Sequence, residues 1–288
     1  MHRPFSPTVR RRRLAAELRR LRDAQGLKLS AAAKLADVPA STLSNIETAE
    51  ARRIKARDID ALADLYQAPA EAREALHELA RESKEQGWWS KYKDVFGGNA
   101  LPDFEVEASM IRTYQCQVIP GLLQTPEYSE AVFRGGRAYT ENEVQRLVEA
   151  RLQRQQILSR HDPPQIWAVI DEAALRRKLD HPHVMRDQLQ HLLNVATRHN
   201  VDIQVLPFTA GMHAGLAGSF VILDFPAEMD PGIVYTETAT DSLFVQDVPS
   251  VQRFVTIFAN LNSAALRPPH TLKFIQQIME SDDQYDDD

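Results

Sequence analysis

The 288-residue sequence predicts an all-helical N-terminal domain followed by an α+β domain with a small, largely antiparallel sheet. Three observations support this fold class. Residues 10–85 repeat apolar side chains at helical spacing, the composition changes at Trp88, and segments rich in β-branched and aromatic residues occur only in the second half. The predicted divisions are a domain at residues 1–86, a domain at 87–280 and a disordered acidic tail at 281–288.

The N-terminal domain is predicted to contain five short helices. The first ends at Gly26, a residue typical of helix C-termini. An alanine-rich second helix runs from about Lys28 to Ala36, and Pro39 marks the start of a third. Their apolar positions, with those of the fourth and fifth helices, are Leu14, Leu18, Leu21, Leu43, Ile46, Ile59, Leu62, Leu65, Leu76 and Leu79.

The C-terminal domain begins where Gly, Pro and aromatic residues become frequent. A long charged helix is predicted from Glu141 to about Arg160, and a second helix lies between two apolar segments that we interpret as strands. Three more β-type segments lie close together in the sequence, as expected for strands joined by hairpins. Two helices follow at the end of the sequence. The predicted strands are 165–170, 201–206, 219–225, 232–237 and 241–245, and the last three helices are 183–198, 250–265 and 269–281.

Charge is distributed unevenly along the chain. The formal net charge is −6, yet residues 1–55 hold 13 Lys and Arg against five acids, which gives this segment +8 and leaves −14 for the rest. A basic end on an acidic body indicates a surface for a polyanion, and double-stranded DNA fits it.

The sequence also predicts the compartment. No run of 18 apolar residues is present and the basic N-terminus is unlike a signal peptide, so we expect no membrane segment. We expect a cytoplasmic protein, associated with the nucleoid when bound to DNA. The single Cys116 excludes an internal disulfide and is most simply a small buried hydrophobic residue.

Residues 26–47 predict two short helices joined by a tight turn at Asp37 and Val38. Glycine is usual in such a turn because the backbone is left-handed there, and aspartate is among the better substitutes. Apolar Leu43 and Ile46 would hold the second helix against the first. This is the helix-turn-helix arrangement, whose second helix enters the major groove with its N-terminal residues toward the bases.

The predicted recognition helix contains neither Lys nor Arg. Residues on this helix are therefore expected to contact the bases, and basic residues outside it are expected to contact the phosphates. Base reading is assigned to the amide and hydroxyl side chains of Ser41, Thr42, Ser44 and Asn45. For Ser41 a helix-cap role stays open, and Glu47 more simply holds the fold by accepting hydrogen bonds. Phosphate contacts are assigned to Lys28, Arg52, Arg53 and Lys55 and to an arm of Arg10, Arg11, Arg12 and Arg13, for which a solvated helix start is the alternative.

The sequence resembles two known protein families, one in each predicted domain. Residues 12–67, above all LSNIE at 43–47, resemble the Xre/Cro-type helix-turn-helix domains. The remainder resembles the C-terminal domain of unknown function of actinobacterial antitoxin-like regulators of the WhiJ type. The strings behind this second resemblance are GWW at 87–89, EAS at 107–109, PGLLQTPEY at 120–128, RLQRQQI at 151–157, IDEAAL at 170–175, VLPFTAGMHAG at 205–215 and FVILDF at 220–225.

The resemblance implies a transcriptional regulator, often encoded beside a small partner protein of another uncharacterised family. Relatives often carry Arg or Lys in the recognition helix, where this chain has Ala40, Thr42 and Asn45. Their operators therefore do not transfer to this chain.

Enzyme chemistry is not indicated by the sequence. Asp171 and Glu172 form a carboxylate pair, but adjacent residues on a strand point to opposite faces, so helix capping is the simpler role. The nine His and one Cys lack zinc-site spacing, and phosphate-loop and nucleophile motifs are absent, so no metal or cofactor is expected. A ligand pocket is more credible; its lining would come from Trp88, Trp89, Tyr114, Tyr128 and Trp167, with packing at the domain interface as the alternative.

The sequence therefore predicts a DNA-binding transcriptional regulator that is a homodimer on a pseudo-palindromic operator. Its C-terminal domain would provide the dimer contact and would sense a signal or bind a partner. The competing interpretation is an antitoxin-like protein that sequesters a small neighbour-encoded partner and regulates its own gene.

Overall fold

The computed structural model describes residues 6–51, 53–84, 87–92, 95, 101–136, 139–226, 232–238 and 241–283. Its contacts divide the chain into two compact units, Met1–Glu107 and Ala108–Asp288. The sequence placed the boundary after residue 86, whereas the helix that ends at Glu107 belongs by its contacts to the N-terminal unit.

The N-terminal unit is helical in its described residues, as predicted. Most of its helices pack around one core, to which buried Leu14, Leu18, Leu43, Ile59 and Leu62 contribute. Ser6 caps the first helix by accepting a hydrogen bond from the Val9 N–H at 2.9 Å. The helices are α1 (Pro7–Ala24), α2 (Leu29–Leu35), α3 (Ala40–Glu47), α4 (Ala56–Leu65), α5 (Ala70–Glu82) and α6 (Leu101–Glu107), with a 3₁₀ helix at Trp88–Tyr92.

Helices α1 to α4 all end in a left-handed turn. The residues in that turn are Gly26, Asp37, Ala49 and Gln67, with φ values of 65°, 53°, 61° and 53°. In α1 this confirms the predicted glycine cap. Only glycine enters this region without a steric cost, so the other three turns carry strain that the surrounding packing offsets.

The C-terminal unit is built on one mixed six-stranded sheet in the order β3-β2-β1-β4-β5-β6. Strands β1, β2 and β3 run parallel, and β4, β5 and β6 continue the sheet antiparallel from β1. The strands are β1 (Met110–Gln115), β2 (Gln165–Asp171), β3 (Val201–Leu206), β4 (Phe220–Asp224), β5 (Ile233–Glu237) and β6 (Ser242–Val245).

The prediction of a largely antiparallel sheet was wrong because β1 was missed. Its sequence, MIRTYQ, lies within the segment that follows Trp88, where aromatic, Gly and Pro residues indicate a domain boundary, so no strand was predicted there. Long helical connections separate β1 from β2 and β2 from β3, and parallel pairing requires such crossovers.

The helices of the C-terminal unit cover its sheet. Helix α11 packs on one face, where Phe258 lies among Tyr114, Val169, Phe220 and Ile222. Among the described residues, no helix combines the length and apolar character needed to cross a membrane. The helices are α7 (Pro126–Gly136), α8 (Glu141–Gln155), α9 (Glu172–Leu175), α10 (Pro182–Val195), α11 (Val248–Ala264) and α12 (Pro268–Asp283), with 3₁₀ turns at Gly121–Leu123, Gln156–Ser159 and Phe208–Ala210.

The end of the chain differs from the prediction in part. Helix α12 continues to Asp283, so the first three residues of the predicted acidic tail are helical. Residues 284–288 lie outside the described residues.

Candidate nucleic-acid interface

The turn between α2 and α3 fixes the angle at which α3 leaves the core. Asp37 takes the left-handed conformation that the sequence predicted for it. The Val38 N–H donates to the Ala33 carbonyl at 3.0 Å, and the Asp37 N–H donates to the Lys34 carbonyl at 3.4 Å. These two bonds are the Schellman closure of a helix C-terminus, so the turn is a defined structure rather than a loose loop.

One face of α3 is buried in the core of the N-terminal unit. Val38, Leu43 and Ile46 are at most 5% exposed, and buried Ala33 of α2 belongs to the same core cluster. This confirms the predicted apolar contacts between the two helices. Burial of two large aliphatic side chains from one eight-residue helix leaves α3 a single orientation.

The opposite face of α3 presents small uncharged polar groups. Ser41 and Asn45 are exposed, and Thr42 and Ser44 are half-buried. The helix begins after Pro39 without a side-chain cap, so Ser41 does not fill the capping role left open for it. In the described part of the chain, the side chains of Ser41, Thr42 and Asn45 make no hydrogen bond, and their amide and hydroxyl groups can face a base edge.

Glu47 anchors the end of α3 to α1. Its carboxylate is 3% exposed and accepts two hydrogen bonds from Arg22, from Nε to Oε1 at 2.8 Å and from Nη2 to Oε2 at 2.9 Å. Arg19 donates to the Glu47 carbonyl, and Arg22 also donates to the Leu27 carbonyl at 2.7 Å. The predicted structural role of Glu47 is confirmed, because its oxygens are committed to these bonds.

The sequence did not identify Arg22, which is the partner that positions α3. The signal available was complementarity between an acid on the third helix and a basic residue on the first, and the seven arginines of α1 made the choice ambiguous. Tyr66 lies beside this pair, and burial, followed by the charge of Glu47, raises the pKa of Tyr66 to about 12.

Basic side chains border α2 and α3 in the chain. Lys28 immediately precedes α2, and Arg53 and Lys55 lie in the segment that joins α3 to α4. All three are exposed, and in the described ranges none has a side-chain hydrogen bond or ion pair. Arg52, which the sequence grouped with them, lies outside the described residues.

The four arginines proposed as an arm are part of α1 and are not brought to α3. Arg10 and Arg13 bind the Glu107 carboxylate at 3.1 and 3.0 Å, and Arg10 also contacts Glu82 at 3.0 Å. Arg11 donates to the Ser83 carbonyl at 3.3 Å and to Thr8 at 2.8 Å, and Arg12 lies 5.6 Å from the centre of the Phe104 ring. All four are half-buried.

The aromatic residues proposed as a pocket lining belong to two different units. Trp88 and Trp89 are half-buried in the N-terminal unit. Tyr114 and Trp167 lie on the sheet, where the Trp167 ring packs against Phe258 at 5.9 Å. Tyr128 is buried on α7, and its hydroxyl accepts a hydrogen bond from the Ile119 N–H at 3.2 Å.

The carboxylate pair after β2 has structural partners. Asp171 Oδ1 accepts from the Ala173 N–H at 2.9 Å, which confirms the predicted capping role, and Oδ2 accepts from the Tyr114 hydroxyl at 3.2 Å. Glu172 accepts from Arg176 at 2.6 Å and from the Phe208 N–H at 2.7 Å. Within the described residues, no group of three or more His, Cys, Asp or Glu is arranged to hold a metal ion.

Comparison with protein families finds two matches. A helix-turn-helix domain matches residues 13–76, which confirms that predicted domain. A domain of unknown function (DUF5753) matches residues 99–277, so α6 falls inside the second match although its contacts lie in the N-terminal unit. No curated protein and no solved structure matches the chain.

Proposed function

The chain belongs to the family of the domain of unknown function DUF5753, and we propose that it is a sequence-specific transcriptional regulator that binds DNA through α3. One observation carries the proposal. Helix α3 has a single fixed orientation, and its outward face offers an amide and hydroxyls that no described neighbour engages. Asparagine can pair with adenine through two hydrogen bonds, and the threonine methyl can contact the thymine methyl. We expect A·T pairs opposite Asn45 and Thr42.

The attraction to DNA comes from residues beside α3 rather than on it. Lys28, Arg53 and Lys55 would contact phosphates on either side of the groove, and Arg52 stays a predicted fourth contact. Phosphate contacts set orientation and give affinity without sequence preference, while the polar face of α3 adds the preference. The two tasks are thereby separated in the chain.

The test is an Asn45→Ala substitution measured on an operator found by genome-wide mapping of bound sites. The side chain is exposed and without a described partner, so the fold should be retained. We expect a loss of about 1–3 kcal/mol on the operator and little change on random DNA of equal length. Asn194→Ala, an exposed asparagine of α10, is the matched control and should change neither.

Equal losses on operator and random DNA would remove the base-reading role from Asn45. An unchanged affinity for both would move the reading surface away from α3 altogether. Circular dichroism of each variant separates either result from unfolding.

We further propose a homodimer on a pseudo-palindromic site, because one small reading head gives little specificity. Two half-sites read by two-fold related helices would lie one helical turn of DNA apart or a multiple of it. Sedimentation of the free protein and of its operator complex tests this. A single chain in both would contradict it.

For the C-terminal unit we propose partner binding or signal sensing rather than catalysis. Asp171 and Glu172 are the two adjacent carboxylates that could suggest acid–base catalysis. Both instead accept hydrogen bonds from backbone amides and from neighbouring side chains. An antitoxin-like protein of the WhiJ type, which sequesters a small neighbour-encoded partner, is the second candidate. Exposed apolar side chains on this unit, at Phe208, Met212 and Leu216, favour a protein partner.

A further inference from the structure

Three large apolar side chains are exposed on one loop of the C-terminal unit. We call residues 207–218, which connect β3 to β4, the edge loop. Phe208, Met212 and Leu216 on this loop are 59%, 88% and 59% exposed. Single exposed apolar residues are ordinary, but several on one short segment mark an interaction site.

The edge loop is held in shape by its own contacts. The Phe208 N–H donates to the Glu172 carboxylate at 2.7 Å, and the Gly218 N–H donates to the Gly215 carbonyl at 3.1 Å. Gly215 lies so close to Tyr114 that an added Cβ would be 2.5 Å from that ring. The apolar side chains are therefore displayed by a fixed scaffold, which lowers the entropy lost on binding.

The position of the loop is also informative. It follows β3 at the end where Asp171 terminates the parallel neighbour β2. In open sheets with parallel strands, ligands bind outside the carboxyl ends of the strands. Loops can change there without disturbing the sheet.

Basic residues follow Glu172, the residue that holds the start of the edge loop. The Arg176 Nε lies 2.6 Å from Glu172, the same carboxylate that holds Phe208. Arg177 is exposed and donates to the Gln117 carbonyl, just beyond β1, at 3.2 Å. Exposed Lys178 follows in the chain. The surface formed by Phe208, Met212, Leu216, Arg176 and Arg177 is called the edge patch below.

We propose that the edge patch docks a protein segment that presents apolar side chains flanked by carboxylates. The apolar anchors would pack on Met212 and its neighbours. The acids would pair with exposed Arg177, which donates to a backbone carbonyl, whereas Arg176 is already ion-paired with Glu172. A second copy of this chain fits less well, because a two-fold contact would bring the basic residues of both copies into one interface. The proposal rests on the partner-binding role proposed above and specifies the chemistry of the partner.

The experiment uses the full-length chain and two fluorescein-labelled synthetic peptides. One is built from Leu, Phe, Glu, Asp and Gly, and the other has Lys in place of every acid. Fluorescence anisotropy should show saturable binding of the acidic peptide alone. Met212→Asp and Arg177→Glu should each weaken it about tenfold or more, the loss expected at an interface hot spot.

Leu243→Asp is the matched control, because Leu243 is 60% exposed on β6 and the substitution adds the same charge. It should leave peptide binding unchanged. Equal binding of both peptides, or no effect of Met212→Asp, would overturn the proposal.

Two further results would reassign the surface and so overturn the proposal. Dissociation of a homodimer by Met212→Asp would assign it to a second copy. Peptide binding seen only after deletion of residues 284–288 would assign it to the chain's own acidic tail. Operator binding by the same preparations reports on the DNA-binding proposal separately, since the edge patch variants should leave it unchanged.

Discussion

Two groups of basic residues in the N-terminal unit look equivalent in the sequence and differ in the structure. Arg10 and Arg13 bind the buried carboxylate of Glu107, whereas Lys28, Arg53 and Lys55 are exposed, with no ion pair to a described residue. The number of basic residues in a segment therefore does not give the number of positive charges that are available to bind a polyanion. An arginine already bound to a carboxylate has less to gain from a phosphate.

The difference originates in α6. Asp103, Glu105 and Glu107 of this helix are 2%, 1% and 4% exposed, and Glu107 also accepts a hydrogen bond from the Ser6 N–H at 2.7 Å. The acids arrive from a distant part of the sequence and neutralise the N-terminal half of α1. The segment after α3 has no comparable acidic partner among the described residues.

The largest expected effect on stability comes from removing the carboxylate that binds Arg10 and Arg13. Glu107→Ala removes a buried carboxylate that two arginines and a backbone amide share, so we expect a loss of about 3 kcal/mol in the free energy of unfolding. Lys55→Ala, an exposed residue without a described partner, should change it by less than about 0.5 kcal/mol. Urea denaturation measures both. Similar costs for the two variants would show that the two basic groups are not held differently.

A second prediction concerns how burial of the acidic residues of α6 makes stability depend on pH. Burial, only partly offset by hydrogen bonds from Ser6 and Thr8, raises the pKa of Asp103 to about 6. A carboxyl whose pKa is higher in the folded state than in the unfolded state favours the fold when protonated. Its stabilising effect is therefore complete below about pH 4 and is lost as the pH rises to about 6.

Asp103→Asn removes this titration. Between about pH 4 and 7 the wild type should lose roughly 1–3 kcal/mol of unfolding free energy relative to the variant. Urea denaturation across this range gives the difference. Parallel pH profiles for the two proteins would contradict the burial argument.

The third and smallest expected effect concerns the stability of the turn that ends α3. Ala49 closes α3 with a φ of 61°, where a Cβ is sterically disfavoured. Ala49→Gly should raise the free energy of unfolding by about 1 kcal/mol at most, since the flexibility of glycine in the unfolded chain opposes the gain. Ala51→Gly, two residues further on, has no positive φ to relieve and should not stabilise. Thermal unfolding of the pair tests this.

Much of the N-terminal unit was predictable because its signals are local. Apolar residues at helical spacing, an alanine-rich segment and Pro39 predicted the first five helices, and the left-handed turn at Asp37 followed from the tight turn between two short helices. The structural role of Glu47 followed from the cost of placing an acid near phosphate. Its partner Arg22 required knowledge of how α1 lies against α3.

The remaining differences are long-range. Helix α6 was missed because its burial depends on arginines nearly 100 residues earlier, and its charged sequence gives little helical periodicity. Strand β1 pairs with β2 and β4, which come far later in the chain. The edge patch was also missed, because a loop with apolar residues in the sequence is indistinguishable from one that buries them.

The central proposal is that DNA is attracted by the basic residues beside α3 rather than by the basic residues around the N-terminal half of α1. The most direct measurement is the salt dependence of DNA affinity for Arg53→Ala/Lys55→Ala and for Arg81→Ala/Lys84→Ala. The second pair removes the same charge at the end of α5, where the Ser83 carbonyl contacts Arg11. The slope of log affinity against log salt should flatten by about 2 for the first pair and stay unchanged for the second. An unchanged slope for the first pair, or equal flattening for both, would contradict the account.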